Sequence, residues 1–319
     1  MHDTQQISTF KKWMIAIRPF ALPASTMPVI FGTILAVVIG KADFSLWRFI
    51  LAFLGMVILH SGANMMNDVF DFKMKIDRNP TPVSGAIVRG LLSLKTVLIA
   101  SLGCLVIGSG IGLVLAWSTG SFLIIIGVIG VAIGVFYTFS PLALKYHALG
   151  DFAVFLNFGV LGSLGAWFVQ TRTFSWLPVV WVIPMGLLVI GILHANNWRD
   201  TLSDSETGIY TIASLLGDRH SLHYYGLLIF GPFLILLALM IIPRIWFNTV
   251  QPMPFTFFIT IFALPLAIRL WQRALSRKKP KNPYDFIALD GATAQMNLLF
   301  GLLCNGALLL HYLTGKFLG

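Results

Sequence analysis

The chain has 319 residues, of which 57% are hydrophobic and 11% charged, and its mean hydropathy is +0.84. Soluble domains carry about 25% charged residues, and none of this size hides so much apolar side chain. A soluble two-domain protein is therefore excluded, and lipid is the solvent around most of the chain. The net charge of +10 matches a membrane protein whose cytoplasmic loops collect Lys and Arg; nucleic acid is not needed to explain it.

Residues 1–19 are mostly polar. The apolar run that follows lacks a small-residue cleavage site, which predicts a retained helix rather than a signal peptide. Nine apolar stretches are long enough to span a bilayer: 20–40, 47–66, 96–117, 121–139, 149–170, 177–197, 222–242, 253–271 and 292–314. Only Ser118, Thr119 and Gly120 separate the third and fourth, so those two form a tight hairpin. Cys104 and Cys304 both lie in apolar runs and predict neither a metal site nor a disulfide. The fold class expected is all-α, a multi-pass transmembrane bundle of nine helices forming a single domain over 1–319.

Basic residues orient the bundle. With the N-terminus in the cytoplasm, 17 of the 22 Lys and Arg fall in inside segments and 5 outside. This positive-inside bias predicts an N-terminus inside and a C-terminus outside.

Six of the 12 acids form two clusters, Asp68, Asp71 and Asp77, then Asp200, Asp204 and Glu206. The first closes the second span and the second closes the sixth, so both arrive at the cytoplasmic boundary. Asn64, Asp68 and Asp71 lie at i, i+4 and i+7, one stripe of a helix; Asn196, Asp200 and Asp204 at i, i+4 and i+8 form another. One Asp at a helix end is ordinarily a solvated cap. Two carboxylate stripes beside hydrocarbon repel and are costly, so a cation should compensate. Magnesium fits, because it takes oxygen ligands and is shared between carboxylates and substrate phosphates.

The two clusters, four spans apart on helices pointing the same way, also suggest a parallel repeat of helices 1–4 and 5–8. His60 and His194, at similar offsets before the acids, read as packed polar residues rather than ligands. Arg78, Arg89, Lys145 and Arg199 share the inside loops with the acids. Each alone could be an ordinary positive-inside charge, but Arg and Lys also grip phosphate oxygens. The run Arg277-Lys278-Lys279-Pro280-Lys281 reads as a lipid-headgroup contact. Carboxylates, magnesium and basic groups at a membrane boundary describe a diphosphate site, and an apolar cavity above it suits a prenyl tail.

At this point the chain resembles the UbiA superfamily of intramembrane aromatic prenyltransferases. Asn67-Asp68-Val69-Phe70-Asp71 matches its Asn-Asp-x-x-Asp motif, and Asp200 to Asp204 its Asp-x-x-x-Asp motif; an early Arg18-Pro19 and nine spans complete the likeness. Within the superfamily it looks most like the 1,4-dihydroxy-2-naphthoate polyprenyltransferase branch of menaquinone biosynthesis. The Asp71-to-Asp77 spacing, the run Tyr146-His147-Ala148-Leu149-Gly150-Asp151, and Asn196-Asn197-Trp198-Arg199-Asp200 carry that likeness. Two segments depart from it: Gly208-Ile209-Tyr210-Thr211-Ile212 lacks a Lys usual there, and Asn79-Pro80-Thr81-Pro82-Val83-Ser84-Gly85 lacks an Arg.

The resemblance implies magnesium held by Asp68, Asp71, Asp200 and Asp204, assisted by Asn64, Asn67 and Asn197. It implies Lys145, Arg199 and Arg78 on the diphosphate, and Asp77 near the ring hydroxyl as a candidate for deprotonation. The partners it implies are a polyprenyl diphosphate, an aromatic acceptor and the bilayer of the plasma membrane, with no nucleic acid. The acceptor could instead be 4-hydroxybenzoate, another naphthoate or a glyceryl phosphate lipid precursor. A secondary transporter is the reading from another class, because repeats and intramembrane acids are transporter features; acids clustered at one face argue against it.

Overall fold

A computed structural model of the chain describes residues 7–74, 85–139, 141–206, 208–246, 250–277 and 287–317, apart from the side chains of residues 202, 203, 205, 206, 287, 288, 316 and 317. The described residues are all helical, without a strand; an isolated β-bridge joins His147 to Tyr210. In order, the helices are α1 (Thr9–Ile17), α2 (Pro23–Val38), α3 (Leu46–Lys73), α4 (Leu94–Thr119), α5 (Phe122–Phe136), α6 (Gly150–Val154), α7 (Gly162–Thr171), α8 (Leu177–Trp181), α9 (Ile183–Glu206), α10 (Ile212–Trp246), α11 (Leu264–Ser276) and α12 (Ile287–Phe317). A π-helical segment, Phe155–Leu161, fuses α6 and α7 into one rod, and a 3₁₀ segment, Phe255–Ala263, leads into α11.

Among the described residues, six helices are long and apolar enough to cross a membrane, and a seventh span results if the bent pair Thr9–Ala21 and Pro23–Val38 counts as one. Two other helices occupy the stretches expected for the fourth and sixth spans. Of these, α5 has only 15 residues, and α9 ends in the polar run from Asn196 to Asp204. The hairpin expected at residues 118–120 is present: α4 stops at Thr119, and Gly120 adopts φ 138° before α5 begins.

Three local features set up the far end of α3. First, the chain bends by 54° between α1 and α2. Arg18 caps α1 in a left-handed conformation (φ 53°), uncommon for a residue other than Gly, and Pro19 prevents the helix from continuing. Second, α3 runs for 28 residues, about 42 Å, long and apolar enough to cross a bilayer, and carries Asp68 and Asp71 near the end opposite its start. Third, residues 141–149 are stapled to the loop after α9. Ala148 N–H donates to the Tyr210 carbonyl (2.7 Å) and Tyr210 N–H to that of Tyr146 (3.1 Å).

Most of the core lies between α2, α7, α9, α10, α11 and α12, with Trp198, Tyr225, Phe31, Phe257 and Phe300 fully buried. A smaller cluster of Ile15, Ala16, Met65, Val69, Ile87 and Val97 clamps α1 and residues 85–92 against α3 and α4. The close approach of α2 to α7 depends on Gly32: a Cβ there would lie 2.2 Å from the Ser163 carbonyl oxygen, the small-residue contact expected between membrane helices.

Candidate active site

The residues of the first stripe point inward. Asn64, Asp68 and Asp71 are all buried. Burying a carboxylate is costly unless it is paired and hydrogen-bonded, and each has partners supplied from distant parts of the chain. Asp68 is ion-paired with Arg18, and its other oxygen accepts from the Ala86 amide at 2.9 Å. That guanidinium comes from the left-handed residue that ends α1, just before the bend into α2. Asp71 receives Lys145 Nζ on both oxygens at 2.8 Å and the Tyr146 hydroxyl at 2.8 Å. Burial pushes the Tyr146 phenol above its ordinary value, so the group keeps the proton it donates. Asn64 Nδ2 donates to the Ile17 carbonyl (3.0 Å), tying the stripe to the end of α1.

The second stripe is organised by Arg199. Its Nε and Nη2 grip Asp200 at 2.8 and 2.9 Å, Nη1 reaches Asp290 of α12 at 2.7 Å, and Nη2 also donates to Asn196. Asp290 is fixed in turn by the Gly291 amide (2.7 Å). Asp200 keeps about a third of its side chain accessible, whereas Asp204 is buried. Beside this stripe, Trp198 is locked in place: Arg277 stacks over its ring at 4.3 Å while binding Asp218, and Trp198 Nε1 donates to Asp218. We expect Tyr146→Phe, which removes one charge-assisted bond to Asp71, to destabilise the protein by about 1.5–3 kcal/mol; a thermal-unfolding series on purified protein measures this.

A cavity of about 150 Å³ lies between α3 and α9; of the two stripes Asn64 and Asn196 line it, whereas Asp68, Asp71, Asp200 and Asp204 are not among its lining residues. Asn64 and Asn67 face it from α3, Asn196 and Arg199 from α9, Lys145 from the stapled loop, and Arg18 from the bend. His60 and Asn157 line the same space, and Asp290 closes it. His60 is held by Ser25 Oγ (2.7 Å) and stacks on Phe158 with centroids 4.3 Å apart. His194 is buried against the Ser221 carbonyl. Both histidines are thus packed polar residues, as expected. Asn157 and Phe158 lie in the π-helical segment, a distortion that recurs at functional sites.

Some expectations need adjustment. Asn197 is buried but is not among the residues lining the cavity; its neighbour Asn196 takes that position, because Asn196, not Asn197, shares the stripe with Asp200. Asp77 and Arg78 lie outside the described residues. Among the described residues no group of three or more His, Cys, Asp or Glu side chains converges as a metal-holding set, since Asp68, Asp71 and Asp200 are each drawn to a basic side chain. Asn67 Oδ1, however, is buried on the cavity wall without a hydrogen-bond donor. Arg18 as the partner of Asp68, Tyr146 and Asp290 were not singled out as site residues in the sequence. Asp290 did carry a signal: an acid at the start of the last apolar stretch is expensive near lipid and marks a site by default.

With this geometry in hand, comparison with known proteins is decisive. The profile of the UbiA prenyltransferase family matches residues 25–299. The chain belongs to the UbiA family. It is 29% identical to a 1,4-dihydroxy-2-naphthoate octaprenyltransferase of Bacillus subtilis over 311 residues, covering 94% of this chain and 92% of that protein. It is 30% identical to a UbiA prenyltransferase domain-containing protein 1 homolog of Drosophila melanogaster, covering 92% of this chain and 78% of that one. The UbiA fold is also shared with a solved structure, a UbiA homolog from Archaeoglobus fulgidus bound to GPP and Mg2+. The TM-score is 0.60 at 15% identity, over 92% of this chain and 99% of that one.

Proposed function

We propose that the protein is a magnesium-dependent polyprenyltransferase that moves a polyprenyl group from its diphosphate to 1,4-dihydroxy-2-naphthoate in menaquinone biosynthesis. In this reading it works at the cytoplasmic face of the plasma membrane, on a nine-span bundle with its N-terminus inside and its C-terminus outside. The observation that carries the reading is the single cavity on which both acid-bearing helices and three basic side chains converge. The naphthoate prenyltransferase from B. subtilis, matched over nearly its whole length, supports the acceptor.

The donor chemistry suits magnesium: Asp68, Asp71, Asp200 and Asp204 would supply the hard carboxylate oxygens the ion prefers, Asp68, Asp71 and Asp200 exchanging their basic partners for it, and the Asn67 oxygen, which has no hydrogen-bond donor, would add another; Asn64 and Asn197 would assist. Bound there, magnesium would supply positive charge to the diphosphate oxygens. Lys145 and Arg199 take the charge that develops on the departing diphosphate, Lys145 as a mobile point charge and Arg199 as a rigid fork. Arg18 adds a third cation on the same wall. The electron-rich ring attacks the prenyl carbon as its bond to diphosphate breaks, and the acceptor's carboxylate leaves as carbon dioxide from the carbon that gains the chain. Asp77 is the residue we assign to deprotonation of the ring hydroxyl.

The prenyl tail has a place to go. A second, separate cavity of about 510 Å³, almost wholly apolar, lies among α3, α4, α5 and α7; Met56, Leu59, Val131 and Val135 line it. Gly127 faces it with nothing within 4 Å of the position a Cβ would take. We expect Gly127→Phe to fold normally and to shift the product distribution toward shorter chains in competition assays with mixed prenyl diphosphates. An unchanged distribution would place the tail elsewhere.

Mass spectrometry of products formed from magnesium, a mixture of polyprenyl diphosphates and several aromatic acids tests the whole proposal. Prenylated, decarboxylated naphthoquinol is the expected product. Prenylated 4-hydroxybenzoate or a glyceryl phosphate ether would reassign the acceptor, and no product at all would favour a transporter.

A further inference from the structure

The end of α3 far from its acids opens on another polar cavity, an open basin of about 1040 Å³ lined by Lys41, Asp43, Trp47, Arg48, Gln170 and Arg172. Arg48 and Asp68 are 20 residues apart on one helix, about 30 Å along its axis, which is the thickness of the hydrocarbon core. The basin therefore sits at the opposite bilayer surface from the active-site cavity.

Its charge is unbalanced. Three cations face one carboxylate, and none of Lys41, Arg48 and Arg172 forms an ion pair among the described residues. Arg48 occupies the first turn of α3, where the positive end of the helix dipole disfavours a cation, and its Nε is buried without a partner. Ser45, at the N-cap, contributes no side-chain bond to the amides of that turn. An anion seated there would answer all of these features at once.

The basin is also built rigidly. Gln170 ties α7 to α3 through two bonds to the Ser45 backbone, at 2.9 and 3.2 Å. Arg172 (φ 60°) caps α7 in a left-handed conformation that usually falls to Gly, and Lys41 (φ 53°), just beyond the end of α2, is left-handed too. The Arg172 turn is pinned by Trp167 Nε1 donating to the Thr173 carbonyl (3.0 Å) and by Thr171 Oγ1 (3.1 Å). Around it, Phe44, Trp47, Phe174 and Trp176 are exposed, the aromatic girdle that marks headgroup level.

We propose that this basin binds the phosphate of an anionic phospholipid in the leaflet opposite the active site. The cations and the free helix start recognise the phosphate, and the exposed aromatics flank the glycerol and upper acyl chains. A phosphate in free solution shares the first chemistry but not the second, so the two can be told apart.

Native mass spectrometry of the detergent-solubilised full chain, titrated with dioleoyl phosphatidylglycerol, dioleoyl phosphatidylcholine or inorganic phosphate, is the test. Wild-type protein should retain phosphatidylglycerol in preference to phosphatidylcholine. Arg172→Gln, at an exposed position, should weaken that binding about fivefold, and Arg48→Gln with Arg172→Gln about 30-fold. Arg48→Lys with Arg172→Lys should restore most of it. Equal binding of the two lipids by wild-type protein would overturn the proposal. So would undiminished phosphatidylglycerol binding by Arg172→Gln, or displacement of the lipid by an equal concentration of inorganic phosphate.

Discussion

Asp68→Asn and Asp200→Asn are each expected to lower prenyl transfer by about 10³-fold, the upper range for loss of one electrostatic contributor to a transition state, in protein that still inserts and can be purified. Asn keeps the shape of each side chain but has one acceptor oxygen where Asp has two, so Asn at 68 accepts from Arg18 or from the Ala86 amide and not both, and Asn at 200 accepts from one Arg199 nitrogen; it also removes the charge that a divalent cation needs. Asp68 is the more informative of the two for folding. It is buried against Arg18, so Asp68→Ala would remove the carboxylate that pairs with that guanidinium and confound activity with stability. Asp200 is a third exposed, so Asp200→Ala should leave the unfolding temperature nearly unchanged and still lose turnover. The check is initial rate against magnesium concentration for each variant: a right-shifted magnesium requirement locates the defect at the metal, whereas wild-type rates for either Asn variant would remove that residue from the site.

Arg199→Ala is expected to have the largest effect on stability. The side chain is buried and satisfies Asp200, Asn196 and Asp290 together. Removing it strands the Asp290 carboxylate inside the bundle, which costs about 3–5 kcal/mol. Arg199→Lys should not rescue it, because one ammonium cannot span three acceptors on two helices. The double change Arg199→Met with Asp290→Asn should recover most of the unfolding temperature and none of the activity. That split separates the structural role of the ion pair from the proposed charge-stabilising role, and thermal unfolding in parallel with initial rates reads both. Recovery of activity in the double variant would deny Arg199 any part in the chemistry.

Much of this site was legible in the sequence because its logic is local. Helical spacing alone puts Asn64, Asp68 and Asp71 on one stripe, and in the folded chain all three are buried on α3; the hydropathy pattern adds the expectation that the stripe lies at a membrane boundary. Lys145, one of the four basic residues that the sequence sets beside the acids, is the residue that grips Asp71. What local patterns do not encode is which distant group meets which acid. Arg18 and Asp68 are separated by 50 residues, Arg199 and Asp290 by 91, and each pairing depends on a bend or a crossing set by the packing of whole helices. The choice of Asn196 over Asn197 follows from a rotation of one residue, about 100° around α9, which composition does not register but the stripe rule does. The π-helical segment under His60 left no pattern in the sequence, because its extra residue per turn shows only as a shifted face.

The central claim is that α3 and α9 build one diphosphate site between them. Its most direct measurement is calorimetric titration of the purified chain with a non-hydrolysable prenyl thiolodiphosphate, with magnesium and with EDTA, for wild type, Asp68→Asn and Asp200→Asn. Magnesium-dependent binding that collapses in both variants is the expected outcome, since either tip alone offers half a site. Binding that survives EDTA, or that one variant retains at wild-type affinity, would contradict a shared metal–diphosphate pocket.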